Sequence, residues 1–384
     1  MLHSCWDATS QKPRDLYIGH YLPQPINQMK QADFALSSVL DPQAYITSLV
    51  NGYMVSSALF AATASGVFEA LRNGAKTPGE LAEMLSIRVP EGLRRLLYAL
   101  VGMKLVTIDP EGAVALAPAM RRFLLRDSES SMTAAIQHHH RHSYRHFEAL
   151  AQRVADGPVA EDADLYDTLA GSDAEYELFL KAMNGFSVGV GEKMAQMLDL
   201  RDARLIFDIG GGGGQVSLEL LCALPLARVK LFDRSESLNF ARTTIGQRHA
   251  DRFSCIAVDI LALWPEPAEK ADLVILSAVL GDWDRDTIRT ILHNAWMSLR
   301  PGGRLIVSET LLDDDRVGPF AARLLSLYVF LLTQGGDNYT EKEWRAILAD
   351  AGIGDVQVIR SSESGVRDML ICSKPADGAG SAIR

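Results

Sequence analysis

Cysteine is scarce in this chain. Four of its 384 residues are cysteines (Cys5, Cys222, Cys255 and Cys372), and they are scattered without metal-ligand spacing. Cys222 and Cys255 lie in apolar segments and read as buried thiols, so neither a metal site nor a disulfide framework is expected. Positive charge is also short. The net charge is −10 at pH 7, which argues against a nucleic-acid partner. No apolar run reaches membrane-spanning length and the start of the chain lacks a signal-peptide pattern, so no membrane partner is expected and the cytoplasm is the default location. There is no internal repeat and no low-complexity tract. What remains is ordinary for a globular protein: 48% hydrophobic and 22% charged residues, with length enough for two cores.

Residues 1–43 are broken by prolines and read as an arm with one helix near 28–40. Residues 44–130 follow a helix, helix, helix, hairpin order. Thr77, Pro78 and Glu80 start one of these helices with a capping box, and the turn Asp109, Pro110, Glu111, Gly112 separates two short strands. That order is a winged helix. Its helix from Pro90 carries only Glu91, Arg94 and Arg95 as charges, too thin a basic signal for DNA, so a dimerisation module is expected. Residues 131–200 read as connecting helices. From 201 to 375 strands alternate with helices, with strands expected at 204–208, 228–232, 254–258, 272–277, 304–309, 355–360 and 367–372. Alternation of this kind gives an α/β fold with a parallel sheet covered on both faces. A final hairpin around 361–365 is expected to add an antiparallel edge, and residues 376–384 read as a tail.

The most telling stretch is RLIFDIGGGGGQVSLELLCALPLARVKLFD, residues 204–233. It reads as a buried strand, a glycine loop with Gly210, Gly212 and Gly214, a helix, and a second strand closed by Asp233. A glycine loop lets a ligand approach the backbone, and an acid about 20 residues on suits a ribose diol. The dinucleotide pattern fails, because Gln215 and Val216 come directly after the last glycine. Asp208, directly before the loop, favours a ligand with a positive end. S-adenosylmethionine (SAM) carries an ammonium and a sulfonium there, and SAM is the expected cofactor.

With these motifs in order, the chain resembles the small-molecule O-methyltransferases of the plant caffeate and bacterial polyketide-tailoring type, from about Ala44 to Lys374. The resemblance implies a Rossmann-like seven-stranded SAM-dependent methyltransferase sheet, an N-terminal all-α winged-helix dimerisation domain and a homodimer whose first domains intertwine. DIGGGGG matches that family's glycine motif, and Asp233 its ribose acid. VDIL places Asp259 at the adenine amino group. SAVLGDWDRD, opened by Ser277, puts Trp283 on the adenine face. FLKAM puts Phe179 and Met183 around the reactive methyl, with Ser187 at the cofactor carboxylate. On their own, Phe179 and Met183 are also an ordinary i, i+4 core stripe. Asp282 and Asp284 also read as caps of the next helix, at 287–300.

Two departures bear on the chemistry. The family's general base is a histidine where this chain has Gly281, and the acid that steadies it is Asn338 here. The second family acid survives as Glu309. A phenol, with a pKa of about 10, must lose a proton, and a positioned base is worth on the order of 10²–10⁴ in rate. A thioether, an amine with a free lone pair or an enol carbon does not need one. The stretch QHHHRHSYRHFEAL, 137–150, is the remaining clue. His138, His142 and His146 are expected on one helix face, with Arg141 and Arg145 beside them, forming a wall for a small anion. Tyr144 and His142 are then candidates near the acceptor, and Tyr176 offers a ring to the sulfonium. A metal held by the histidines, or a plain solvated face, are the other readings of that helix. The expected activity is methyl transfer from SAM to the thioether, amine or carbon of a small carboxylic acid. The alternatives are SAM cyclised by its own amine, with release of methylthioadenosine, a base-free rearrangement with SAM merely bound, and a SAM-sensing winged-helix regulator.

Overall fold

The computed structural model describes residues 41–157, 169, 172–265, 267–361 and 367–376. The expected arm helix at 28–40 and the tail beyond 376 lie outside the described residues.

In the first domain Asp41 caps the helix Pro42–Ala64, and the Thr77–Glu80 capping box starts Pro78–Met84 as expected. Pro90–Gly102 comes next, then an antiparallel pair, β1 (Val106–Ile108) and β2 (Val114–Leu116). Leu71, Leu81, Leu97, Leu100 and Val114 close this core with no exposure.

The second domain is a seven-stranded sheet built from β3 (Leu205–Ile209), β4 (Arg228–Asp233), β5 (Phe253–Ala257), β6 (Ala271–Ser277), β7 (Leu299–Glu309), β8 (Val356–Ile359) and β9 (Asp368–Ser373). Their order in space is β5-β4-β3-β6-β7-β9-β8. Alternation along β3 sends Leu205, Phe207 and Ile209 into one apolar layer and Ile206 into the other, so both faces are covered. All seven strands fall where the sequence places them. The edge is antiparallel as expected: β9 inserts between β7 and β8, and β8 is the outer strand. The chain leaves β3 for β4 and β5 on one side, then crosses to β6 on the other. That reversal opens a crevice at the carboxyl ends of β3 and β6, the usual ligand position in such sheets.

Candidate active site

The glycine loop after β3 is held from three sides. Gly210 has φ +70°, and a Cβ there would stand 2.7 Å from a Val279 methyl carbon. Gly214, at φ +83°, would meet Ile245 Cδ1 at 2.3 Å. Only glycine fits both the dihedral and the space at these two turns. Asn184, on the helix Asp173–Ser187, donates to the Gly213 carbonyl (3.2 Å). Asp208 lies beneath the loop, 1% exposed, where the Ser217 hydroxyl donates to its Oδ2 (2.6 Å). Burial pushes its carboxyl up to about 6. Its observed contact braces the turn from below and is not on the crevice surface, which corrects the expectation of a carboxylate aimed at the ligand.

Asp233 ends β4 half-buried. Its Oδ2 accepts from the Gly212 amide (2.8 Å) and its Oδ1 from the Arg234 amide (2.7 Å), while burial raises its pKa. Tyr176 belongs to this end of the crevice: its hydroxyl shares a 2.8 Å hydrogen bond with Ser237, a neighbour of Asp233. Its ring lies 6.2 Å from that of Phe179. Beyond β5, Trp283, Val258, Ile260 and Trp264 are each partly buried against the sheet core, while Asp259 is exposed. Asp259 Oδ1 accepts the Leu261 amide (2.9 Å). Phe179 is buried and Met183 half-buried against it, in a cluster that reaches Phe240.

At the carboxyl ends of β6 and β7 the site turns polar. Glu309, 7% exposed, accepts the amides of Val279 and Leu280 on Oε1, both at 3.0 Å. Burial pushes its carboxyl up to about 7, against the pull of Arg367. A Cβ at Gly281 would stand 3.6 Å from Glu309 Oε2 and 3.6 Å from the Asp337 carbonyl, ordinary contact distances. Asn338, the substrate-contact candidate beside this gap in the family's pattern, is buried. Its Nδ2 donates to the Thr310 carbonyl (2.8 Å), and its buried Oδ1 has no partner. Arg367, which no sequence motif marked, reaches across β7: Nη1 donates to Ser277 Oγ and Nη2 to Ser187 Oγ, each at 3.2 Å. Burial lowers its pKa, and the charges of Glu309 and Asp282 raise it. Asp284 caps the helix Arg285–Met297. A separate open cleft of about 970 Å³, lined by Arg285, Arg316, Arg323 and Asp337 among others, includes no residue of the glycine loop.

Comparison with known proteins assigns this architecture. The profile of the O-methyltransferase domain matches residues 147–354, and that of the O-methyltransferase dimerisation domain matches 47–126. The chain belongs to the O-methyltransferase family. Acetylserotonin O-methyltransferase of Homo sapiens is 29% identical over 83% of this chain and 94% of its own length. The 3-hydroxy-5-methyl-1-naphthoate 3-O-methyltransferase of Streptomyces sahachiroi is 29% identical over 85% and 93%. Human N-acetylserotonin methyltransferase, solved in complex with SAM, superposes with a TM-score of 0.79 at 27% identity, covering 88% of this chain and 99% of that one. The chain is a SAM-dependent methyltransferase, and the crevice fits that cofactor on its own geometry. Asp233, where the resemblance expects the ribose acid, closes the strand after the glycine loop and accepts the loop's Gly212 amide.

The histidine-rich helix of this O-methyltransferase departs from expectation. It runs as Thr133–His138, one π turn over His139–Ser143, then Tyr144–Glu148. The i, i+4 imidazoles stay neighbours across it: the rings of His138 and His142 lie 5.1 Å apart, and His142 acts electrostatically on His146. His138 is fully buried with both ring nitrogens unpartnered, 5.5 Å from the Phe179 ring, and burial holds it neutral with a pKa of about 3. His142 Nε2 shares a 2.9 Å bond with Glu175 Oε2, and Arg141 pairs with Glu175 Oε1 at 2.7 Å. Arg145 is exposed, and burial lowers the pKa of half-buried His146. The anion wall expected here is therefore not what these side chains build. Tyr144 packs edge-on against Phe60 of the long helix, 5.9 Å away. His139 Nδ1 lies 3.1 Å from Ser143 Oγ, and its ring packs against Phe186 and Tyr328.

Proposed function

We propose that this enzyme transfers the methyl group of SAM to a small molecule at a nucleophile needing no strong base: a thioether, an amine with a free lone pair or an enol carbon. The observation that carries this reading is the glycine at position 281. The gap it leaves faces Glu309 Oε2, a carboxylate in place of an imidazole. SAM supplies a methyl group on a positive sulfur with a neutral leaving group. The chain then has to hold the nucleophile behind that carbon and keep water away. Glu309, whose carboxyl burial pushes up to about 7, already holds the Val279 and Leu280 amides on Oε1. The carboxylic-acid part of the expected acceptor loses its support, because Arg141 is taken by Glu175.

A second reading keeps an oxygen acceptor. The relatives are named for hydroxyl methylation, and Glu309 faces the gap from which a hydroxyl proton would be taken. An assay of S-adenosylhomocysteine formation separates the two, run on the wild type and Gly281→His with thioether, amine and phenol acceptors. The base-free reading expects turnover of thioethers or amines and no gain from the histidine. Turnover confined to phenols, with a large gain in Gly281→His, would overturn it in favour of the second. Methylthioadenosine released with no acceptor present would overturn methyl transfer itself.

A further inference from the structure

The hydrogen bonds around the buried Arg367 guanidinium define what it awaits. It donates to the oxygens of Ser187 and Ser277. A serine oxygen that accepts from an arginine still has its own proton to donate. One guanidinium and two hydroxyls thus converge as donors, on side chains from three separate places: the end of the helix Asp173–Ser187, the end of β6 and the residue that leads into β9. The acids beside them, Asp282 and Glu309, act electrostatically on the same guanidinium. A cluster that holds a fork of donors next to carboxylates matches a zwitterion, with an anionic and a cationic group on one carbon.

We propose that Arg367, with Ser187 and Ser277, is the receptor for the α-carboxylate at the amino-acid end of the cofactor. The spacing supports it. Asp233 ends β4 and Ser277 ends β6, two strands away across β3, or about 10 Å. That is the span from a ribose diol to the amino-acid carboxylate of an extended SAM. A guanidinium binds a carboxylate through paired, charge-assisted bonds, stronger than hydroxyls alone supply. The inference rests on the SAM reading of the crevice and adds a residue to it that no motif in the sequence marks.

The test is calorimetric and needs no acceptor. S-adenosylhomocysteine and its decarboxylated analogue are titrated into the wild-type protein, Arg367→Met and Arg367→Lys. The wild type is expected to prefer S-adenosylhomocysteine by about tenfold to hundredfold, the worth of a charge-assisted pair. In Arg367→Met the preference disappears while the decarboxylated probe binds as to the wild type, and Arg367→Lys keeps part of it. A wild type that does not distinguish the two ligands overturns the proposal, as does a preference that survives in Arg367→Met. If Arg367→Met binds neither ligand, the double variant Ser187→Ala/Ser277→Ala decides: a reduced preference supports the receptor and an unchanged one overturns it. A wild type that binds neither ligand would instead remove the cofactor reading beneath it.

Discussion

At the residue scale, the buried carboxyl of Glu309 links the site to stability. Its pKa stands at about 7 in the folded chain, above the ordinary 4.5. Between those values the unfolded chain has released the proton and the folded chain still holds it, so stability falls as pH rises through that window. The shift corresponds to a cost of at most about 3 kcal/mol above pH 7. Glu309→Gln should therefore raise the unfolding free energy at pH 8 and leave it nearly unchanged at pH 4.5, as read by urea denaturation. An equal effect at both pH values would mean that titration is not the cause. Asp233→Ala makes a second residue-scale case, since it removes both a ribose acceptor and the anchor of the Gly212 amide. It should weaken S-adenosylhomocysteine binding by about tenfold or more, and an unchanged affinity would count against the ribose assignment. Asp233 and Glu309 are legible in the sequence because each closes a buried strand, where an acid has few structural reasons to stand. Arg367 is not, since it precedes its strand in no recognisable pattern and its partners lie 90 and 180 positions away. Arg141 and His142 mislead for a related reason: Glu175, which takes both, comes more than 30 residues later.

At the scale of elements, the strands are readable because their apolar runs and their alternation with helices are local properties. The order of β8 and β9 is not, because pairing to β7 is decided by contacts across the sheet. The π turn at His139–Ser143 is equally hidden. One wider turn leaves the composition of a helix unchanged. The glycine loop lies between these cases: its presence is plain in the sequence, and its tolerances belong to the fold. Gly214→Ala tests them. The new methyl group would sit at φ +83° and 2.3 Å from Ile245 Cδ1. A strained backbone and overpacking together cost about 2–4 kcal/mol. The expected outcome is a lower melting temperature together with weaker S-adenosylhomocysteine binding. Gly246→Ala serves as the control, because a Cβ there meets nothing within 4 Å. Equal behaviour of the two variants would show that the loop does not need its geometry.

For the whole molecule, the helix Pro42–Ala64 decides the assembly. Ile46, Leu49, Val50, Tyr53 and Met54 are each more than half exposed on it. It is the one helix among the described residues long and apolar enough to cross a membrane by length and composition, and most of it falls within the matched dimerisation domain. A second copy of this chain covering that face accounts for both facts, since an exposed apolar stripe this long marks an interaction surface. The same helix carries Phe60, on which His140 stacks at 5.1 Å and Tyr144 packs edge-on. The exposed apolar face and the histidine-rich helix are thereby joined through one element. Val50→Asp, which places a charge in the covered face, is expected to turn the dimer into a monomer in sedimentation velocity. Because the glycine loop and Asp233 belong to the other domain, S-adenosylhomocysteine affinity should stay at the wild-type value while methyl transfer falls. A Val50→Asp protein that remains dimeric would place the interface elsewhere. A monomer with full turnover would show that the helix joins the two copies without shaping the site.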